Sequence, residues 1–379
     1  MMLNNKDLNY SYWETRDYFK KWDLIVIGSG IVGLSTAISF GQRNKRASIL
    51  VLERGVLPKG ASTKNAGFAC FGSAGELLDD INNTNEQKVW ETVKMRWQGL
   101  QILRKRLGDK NIRYEHNGGF ELFYNREEFL KISAALHELN KNIQENTGLK
   151  NTYGITDSFK SQLPSLQGAV VNQHEGQLDT GRMMNALLKC ARAAGVAVLN
   201  AVEVRDFEEK NNGVLVNTSA GQFECGHLAI TTNGFAAELL HIKDVIPARA
   251  QVLITSPVKD LNLKGAFHVD KGYYYFRDLD GRILLGGARN IAANEEQTSK
   301  WDLNDTIQKH LESFLREKIL PGASYKIEQR WTGIMGLGSE KQPIIKFTGN
   351  RVLAAVRMGG MGIAIGSLVG EEAARLLSE

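Results

Sequence analysis

The stretch DLIVIGSGIVGLSTA, Asp23 to Ala37, limits the possible folds more than any other part of the chain. Leu24 to Ile27 is a short apolar run ending in Gly28, and Ile31 to Phe40 carries apolar residues at helical spacing, so the glycines lie between a buried strand and a helix. Gly28, Gly30 and Gly33 let the backbone turn sharply, approach a pyrophosphate and press the helix onto the strand, with Ser29, Ile31 and Val32 completing the turn. The helix N-terminus supplies unpaired N–H groups and partial positive charge at that point. A second strand, ASILVLE, ends at Glu53, where an acid accepts hydrogen bonds from ribose hydroxyls; Arg54 follows it. Strand, helix and strand in this order open a parallel sheet covered on both faces. These features predict a bound dinucleotide without separating NAD from FAD.

The rest of the chain separates them. GASTKNAGFACFGS, Gly60 to Ser73, is a polar, glycine-bearing loop just past Glu53, and RMGGMGIAIG near the C-terminus is a second glycine turn before a helix. Two such turns imply a long ligand that bridges distant parts of the sequence. Between them the periodicity predicts helices over 86–107, 181–194 and 304–319, and Asp280-Gly281 predicts a tight hairpin within GYYYFRDLDGRILLGGAR. A chain of 379 residues fits two domains, and the lack of a linker predicts that they exchange the chain several times.

Composition removes several classes. The 47 basic and 42 acidic residues are spread along the chain for a net charge of +5, so no dense basic patch points to a nucleic-acid partner. Cys70, Cys190 and Cys225 have no CxxC spacing, which argues against a dithiol centre, a metal site and a disulfide framework. No run approaches ~18 apolar residues, so no membrane span is expected. The charged opening segment lacks the apolar stretch of a secretory signal, and the expected location is cytoplasmic.

In order along the chain, IGSGIVGLSTA, VLERG, GASTKNAGF, QLDTGRMMNALLKCARAAGV, LAITTNGFAAELL, ARAQVLITSP, GRILLGGAR, WTGIMGLGSEKQPII and GGMGIAIG resemble the D-amino acid oxidase (DAO) family of flavoproteins, which includes glycine oxidase and sarcosine oxidase. The resemblance implies tightly bound FAD and oxidation of an amine. It implies an α/β fold: a Rossmann-like FAD-binding domain with a parallel sheet, plus an α+β substrate domain with a largely antiparallel sheet. The expected boundaries are 20–80, 165–235 and 330–379 for the first, 81–164 and 236–329 for the second, and 1–19 as an N-terminal extension. Gly28, Gly30, Gly33 and Glu53 match the family's ADP site, and Ser62, Thr63, Asn65, Ala66 and Gly67 match the loop beside pyrophosphate and flavin. Val204 matches the residue whose backbone meets adenine. Gly359, Gly360, Met361 and Gly362 match the turn under the pyrimidine end of the flavin. Phe68, Gly234, Gly333, Arg357 and Ile363 complete the expected cofactor-binding set.

Amine oxidation by flavin moves a hydride from the carbon bearing nitrogen to N5, and the cofactor carries the hard chemistry. No histidine has to act as a base, and of the seven only His174 and His268 merit examination. Amino-acid oxidases of this family grip the substrate carboxylate with an arginine and a tyrosine, but here Met335 stands where that arginine usually lies. Tyr274 matches the tyrosine. The two-residue turn pairs Tyr274 with Gly287, so Tyr274, Phe276, Ile283, Leu285, Gly287 and Arg289 are expected on one face toward the substrate, with Tyr275 and Arg277 facing away. Arg289 thereby becomes the replacement anchor. The family's flavin-attaching cysteine lies near Met335, where this chain has none, so FAD is expected to be non-covalent. The expected partner is a small amine or amino-acid substrate. A flavin enzyme oxidising a 2-hydroxy acid and a flavoprotein whose FAD only supports the fold are the alternatives.

Overall fold

In the computed structural model, which describes residues 9–379, the strand Lys21–Ile27 lies in the middle of an eight-stranded sheet. Ile49–Glu53 and Gly221–Ile230 flank it in parallel, and Ala197–Asn200 and Val352–Val356 extend the parallel run on either side. Ile344–Phe347 adds one antiparallel edge, and Gly213–Thr218 and Val204–Lys210 add an antiparallel hairpin to Gly221–Ile230. Ile49–Glu53 and Val352–Val356 are buried along their whole length, as expected of parallel strands covered on both faces.

The helix Ile31–Arg43 packs its apolar side on this sheet and lies against the C-terminal helix Gly362–Ser378. The approach is close because small residues face each other. A Cβ on Gly366 would come 2.9 Å from Ile31, and one on Gly370 2.4 Å from Ser35. Glu86–Leu107 crosses the C-terminal helix the same way, with Gly99 placed so that a Cβ would meet the Ala364 carbonyl oxygen at 2.3 Å.

The second sheet also has eight strands, in the order Ile327–Leu337, Ile246–Thr255, Arg282–Gly287, Tyr274–Leu279, Ala266–Val269, Gly119–Phe123, Gly168–Asn172 and Tyr153–Thr156. All neighbours are antiparallel except Ala266–Val269 beside Gly119–Phe123. The fold is thus α/β with one mainly parallel and one mainly antiparallel sheet. Two strands that the expected boundaries put with the nucleotide-binding part, Gly168–Asn172 and Ile327–Leu337, pair in this second sheet. Conversely, Leu100, Leu103 and Leu107 of Glu86–Leu107 belong to the core around Ile31–Arg43, although 86–107 was expected in the substrate part. Apolar periodicity shows that an element is buried but not against which neighbour.

Of the expected extension 1–19, residues 1–8 lie outside the described residues, and Tyr12–Tyr18 form a short helix capped reciprocally by Ser11 and Glu14. No helix among the described residues is long and apolar enough to cross a membrane.

Candidate active site

A cavity of about 960 Å³ reaches both sheets and collects both glycine turns, with Gly28 to Val32 at one place on its wall and Met358 to Ile363 at another. Gly28 has a φ of +100°, which an L side chain rarely adopts, and Gly359 and Gly360 have φ of +58° and +84°. The C-terminal turn is anchored from beneath by Asn233, whose Oδ1 accepts the backbone N–H groups of Arg357 and Met358, both at 3.1 Å. From it the N-terminus of Gly362–Ser378 opens onto the cavity, a position that favours negative charge.

At the first turn the Ile31 N–H donates to Ser62 Oγ at 3.0 Å, which ties the loop after Glu53 to the helix start. Glu53 is buried and accepts from Ser29 N–H, Ser29 Oγ and Gly55 N–H at 3.1, 2.7 and 2.9 Å. A carboxylate has about four acceptor positions, so one remains for a ribose hydroxyl. Val204 lines the same end, and the Arg54 guanidinium lies 3.9 Å from the Phe235 ring centroid, a cation–π stack at the wall. The loop Ser62 to Phe68 is pinned on several sides. Asn65 Oδ1 accepts from Gly67 N–H and Thr180 Oγ, and Trp331 Nε1 donates to Lys64 O. Arg277 donates to the carbonyls of Gly67 and Leu178 at 3.1 and 2.8 Å.

Ser62, Asn65, Ala66, Phe68, Gly333, Met335 and Arg289 also line the cavity. Ser29, Gly33, Thr63, Gly67, Gly234 and Arg357 lie behind its wall and shape it. A Cβ on Gly33 would stand 1.9 Å from Gly28 O, and one on Gly234 2.4 Å from Met335 O. Thr63 Oγ donates to Pro58 O, and Arg357 pairs with Asp244 and donates to Gln342 O. A cradle with bare backbone at both turns and a cavity continuous between them fits an extended dinucleotide with a ring system at its far end. FAD would be held by Gly28 to Val32, Glu53, Ser62 to Phe68 and Gly359 to Ile363.

At the other end the expected tyrosine is corrected. The hairpin has the expected register, Tyr274 opposite Gly287 around Asp280-Gly281, and Tyr274, Phe276, Ile283 and Leu285 do share a face. That face is turned away from the cavity, into the core under the helix Asp305–Phe314, where Tyr274 stacks on Phe314 at 4.6 Å. Tyr275 lines the cavity instead, and Arg277, expected to face away, is on the same side, gripping the loop Ser62 to Phe68. Alternation tells which residues share a face, not which face meets the site. Arg289 reaches the cavity by a different route: Gly287 (φ +119°) and Ala288 (φ +58°) break the strand and redirect the chain.

Sequence reasoning missed the charged wall. Glu76, Asp79 and Asp80, on the helix Ala74–Asn83, line the cavity and meet two lysines from distant loops. Lys341 lies 2.9 Å from Glu76 and 2.7 Å from Asp80, and Lys271 lies 2.6 Å from Asp79. Burial alone would raise the Glu76 carboxyl, but Arg96 and Lys341 hold it down at about 2. No motif marks these residues; only the i, i+3, i+4 spacing of the acids hints at a shared face. Burial pushes the Tyr275 phenol up to about 12 and His268, also on the wall, down to about 4. Cys70 is buried, and its thiol is raised well above its ordinary value by burial and by Glu175. His174, the other histidine singled out, is not on the wall; its Nε2 lies 3.0 Å from Lys150 O.

The profile of the DAO family, FAD dependent oxidoreductase, matches residues 23–376. The chain is 23% identical over 350 residues to sarcosine oxidase subunit beta of Rhodobacter capsulatus, covering 89% of this chain and 80% of that one. It is 22% identical to L-2-hydroxyglutarate dehydrogenase of Bos taurus, over 90% of this chain and 77% of that one. L-proline dehydrogenase from P. horikoshii superposes with a TM-score of 0.76 at 20% identity, covering 94% of this chain and 93% of the other. The chain therefore belongs to the DAO family of FAD-dependent oxidoreductases.

Proposed function

We propose that the protein oxidises a small primary or secondary amine that carries a carboxylate, with non-covalent FAD as the oxidant and oxygen as the acceptor that restores it. When bound, FAD supplies the acceptor for the hydride. The protein's own residues bind, orient and keep water out. The observation that carries the reading is Arg289. Its guanidinium is half-buried on the cavity wall, and among the described residues no carboxylate or carbonyl bonds it. Unpaired in so confined a place, it calls for an anion from outside, and a guanidinium matches a carboxylate in bidentate geometry. The Tyr275 phenol, also on the wall and without a protein partner, stands ready to donate to the same group. Met335, in the position of the family's usual arginine, fills its place with a flexible apolar side chain next to Gly360. The carboxylates of Glu76, Asp79 and Asp80 line the same cavity but are balanced by Lys341, Lys271 and Arg96, so that part of the wall is close to neutral.

The similarity to L-2-hydroxyglutarate dehydrogenase favours a second reading, a 2-hydroxy acid at the same anchor. One experiment decides between them. Purified protein should show a flavin spectrum, and anaerobic addition of sarcosine, glycine, L-proline or D-amino acids should bleach it. Bleaching by 2-hydroxy acids alone would reject the amine reading, and bleaching by none would reject both. Reoxidation on admitting air tests oxygen as the acceptor.

A further inference from the structure

Behind the cavity wall lies a buried group that the proposed reaction has not yet used. Ala266–Val269 runs between Gly119–Phe123 and Tyr274–Leu279, with His268 directly beside Glu121 on one neighbour and Tyr275 on the other. Residues opposite each other on adjacent strands point to the same side of a sheet, so these three form a row. The Phe68 ring packs edge-on against both His268 and Tyr275, at 5.2 and 5.6 Å. The imidazole lines the cavity, yet its Nε2 is buried, has no hydrogen-bond partner and points at Glu175 Oε2, 4.0 Å away. Glu175 is itself fixed. Its Oε1 accepts the N–H groups of Phe71 and Gly72 at 2.8 and 3.0 Å, and its side chain is 1% exposed.

An amine bound as an ammonium has no lone pair with which to expel a hydride from the neighbouring carbon. Oxidation therefore requires that a proton leave first. We propose that Glu175, reached through the His268 ring, takes that proton. The ammonium N–H bond breaks and its electron pair stays on nitrogen; the proton forms a bond to Nδ1 of His268 as the proton on Nε2 passes to Glu175 Oε2. Charge and atoms balance with no further reactant, and the imidazole ends neutral as the other tautomer. A small rotation of the ring closes the 4.0 Å gap to hydrogen-bond distance. The inference rests on the amine reading above.

The surroundings suit the role. Burial raises the Glu175 carboxyl to about 7, with backbone hydrogen bonds opposing, so near neutral pH it can both hold and release a proton. Burial also keeps His268 neutral at pH 7, which leaves it a lone pair to accept with. The titratable groups that face Glu175 are Cys70, Glu76, Tyr153, Tyr114 and His268, and Arg96 lies against Glu76.

The test uses the FAD-loaded protein and the rate of anaerobic bleaching by sarcosine, glycine and L-proline as a function of pH. Glu175→Gln keeps an oxygen for the Phe71 and Gly72 amides but cannot take a proton. In the wild type the rate should rise with pH through an inflection near 7. In Glu175→Gln the rate at pH 7 should fall about 100-fold. Its inflection should vanish, the rate climbing instead toward the pKa of the free ammonium. His268→Gln should behave alike, and the double variant should be no worse than either, because the two act as one unit. An independent readout needs no turnover. The infrared carboxylic-acid band present in wild type and missing in Glu175→Gln should titrate near pH 7. A Glu175→Gln variant that binds FAD and keeps the wild-type inflection overturns the relay, as does a carboxyl that stays ionised throughout. Failure of the wild type to bleach with any amine overturns the amine reading and the relay with it, so the two failures are told apart.

Discussion

A methyl group on Gly33 would stand 1.9 Å from the Gly28 carbonyl oxygen and 2.6 Å from Thr231 Oγ, and neither atom can retreat, since one is turn backbone and the other donates to Ile27 O. Gly33→Ala should therefore yield protein purified without its yellow colour, measured as the ratio of flavin to protein absorbance. Arg289→Met should raise KM for a carboxylate-bearing amine by roughly 10- to 100-fold, the effect of about 1.5–3 kcal/mol from lost charge-assisted hydrogen bonds, while flavin content stays at the wild-type level. An unchanged KM would remove Arg289 from the substrate site. At this scale the two glycine turns were legible, because their spacing marks sharp backbone turns, and both lie on the cavity wall. Which face of the hairpin meets the cavity was not. Tyr274 and Tyr275 are adjacent and chemically identical, and only the packing of Phe314 under one of them decides which meets the cavity.

Helices and strands were legible where one principle ruled. Asn85 and Gly108 bracket Glu86–Leu107 as cap and stop, and Asp179 caps Thr180–Ala193, so the helices expected over 86–107 and 181–194 are found within a residue of those bounds. What the pattern could not reveal was contact between elements far apart in the chain. Gly99 looks like a liability inside a helix until the Ala364 carbonyl is found where its Cβ would be. Gly99→Val must push the two helices apart and should cost about 1–3 kcal/mol or more of stability, as overpacking does, lowering the melting temperature markedly. Thermal melts monitored by circular dichroism would show it. The ion pairs between Ala74–Asn83 and the lysines on two loops were equally hidden. Lys341→Met would leave Glu76 and Asp80 without that partner, and Glu76 should then titrate higher than about 2, read as a new acid-side transition in flavin absorbance or substrate binding.

Across the molecule, buried carboxyls set a pH dependence opposite to that of surface ion pairs. Burial raises Glu121 and Glu175 to about 7, above the ordinary carboxyl value of 4.5, so the native state binds more protons than the unfolded chain between those limits. Their stabilising contribution is complete below pH 4.5 and is lost as pH rises through 7, at up to roughly 3 kcal/mol each. His268 acts in the other sense only between about pH 4 and 6.5. Melting temperature should thus fall from pH 6.5 to 8, and Glu121→Gln, which can still accept from the Gly75 N–H, should make that fall shallower. A mainly parallel and a mainly antiparallel sheet were readable from motif order and the hairpin pattern. Their strand membership was not, because Ile327–Leu337 carries glycines and apolar residues that suit either sheet. The cradle also has a temporal consequence. Its first turn leaves the ribosome roughly 330 residues before its last, a wait on the order of 15 to 70 s at ordinary synthesis speeds, so the nascent chain must stay soluble through most of its translation before it can acquire its colour.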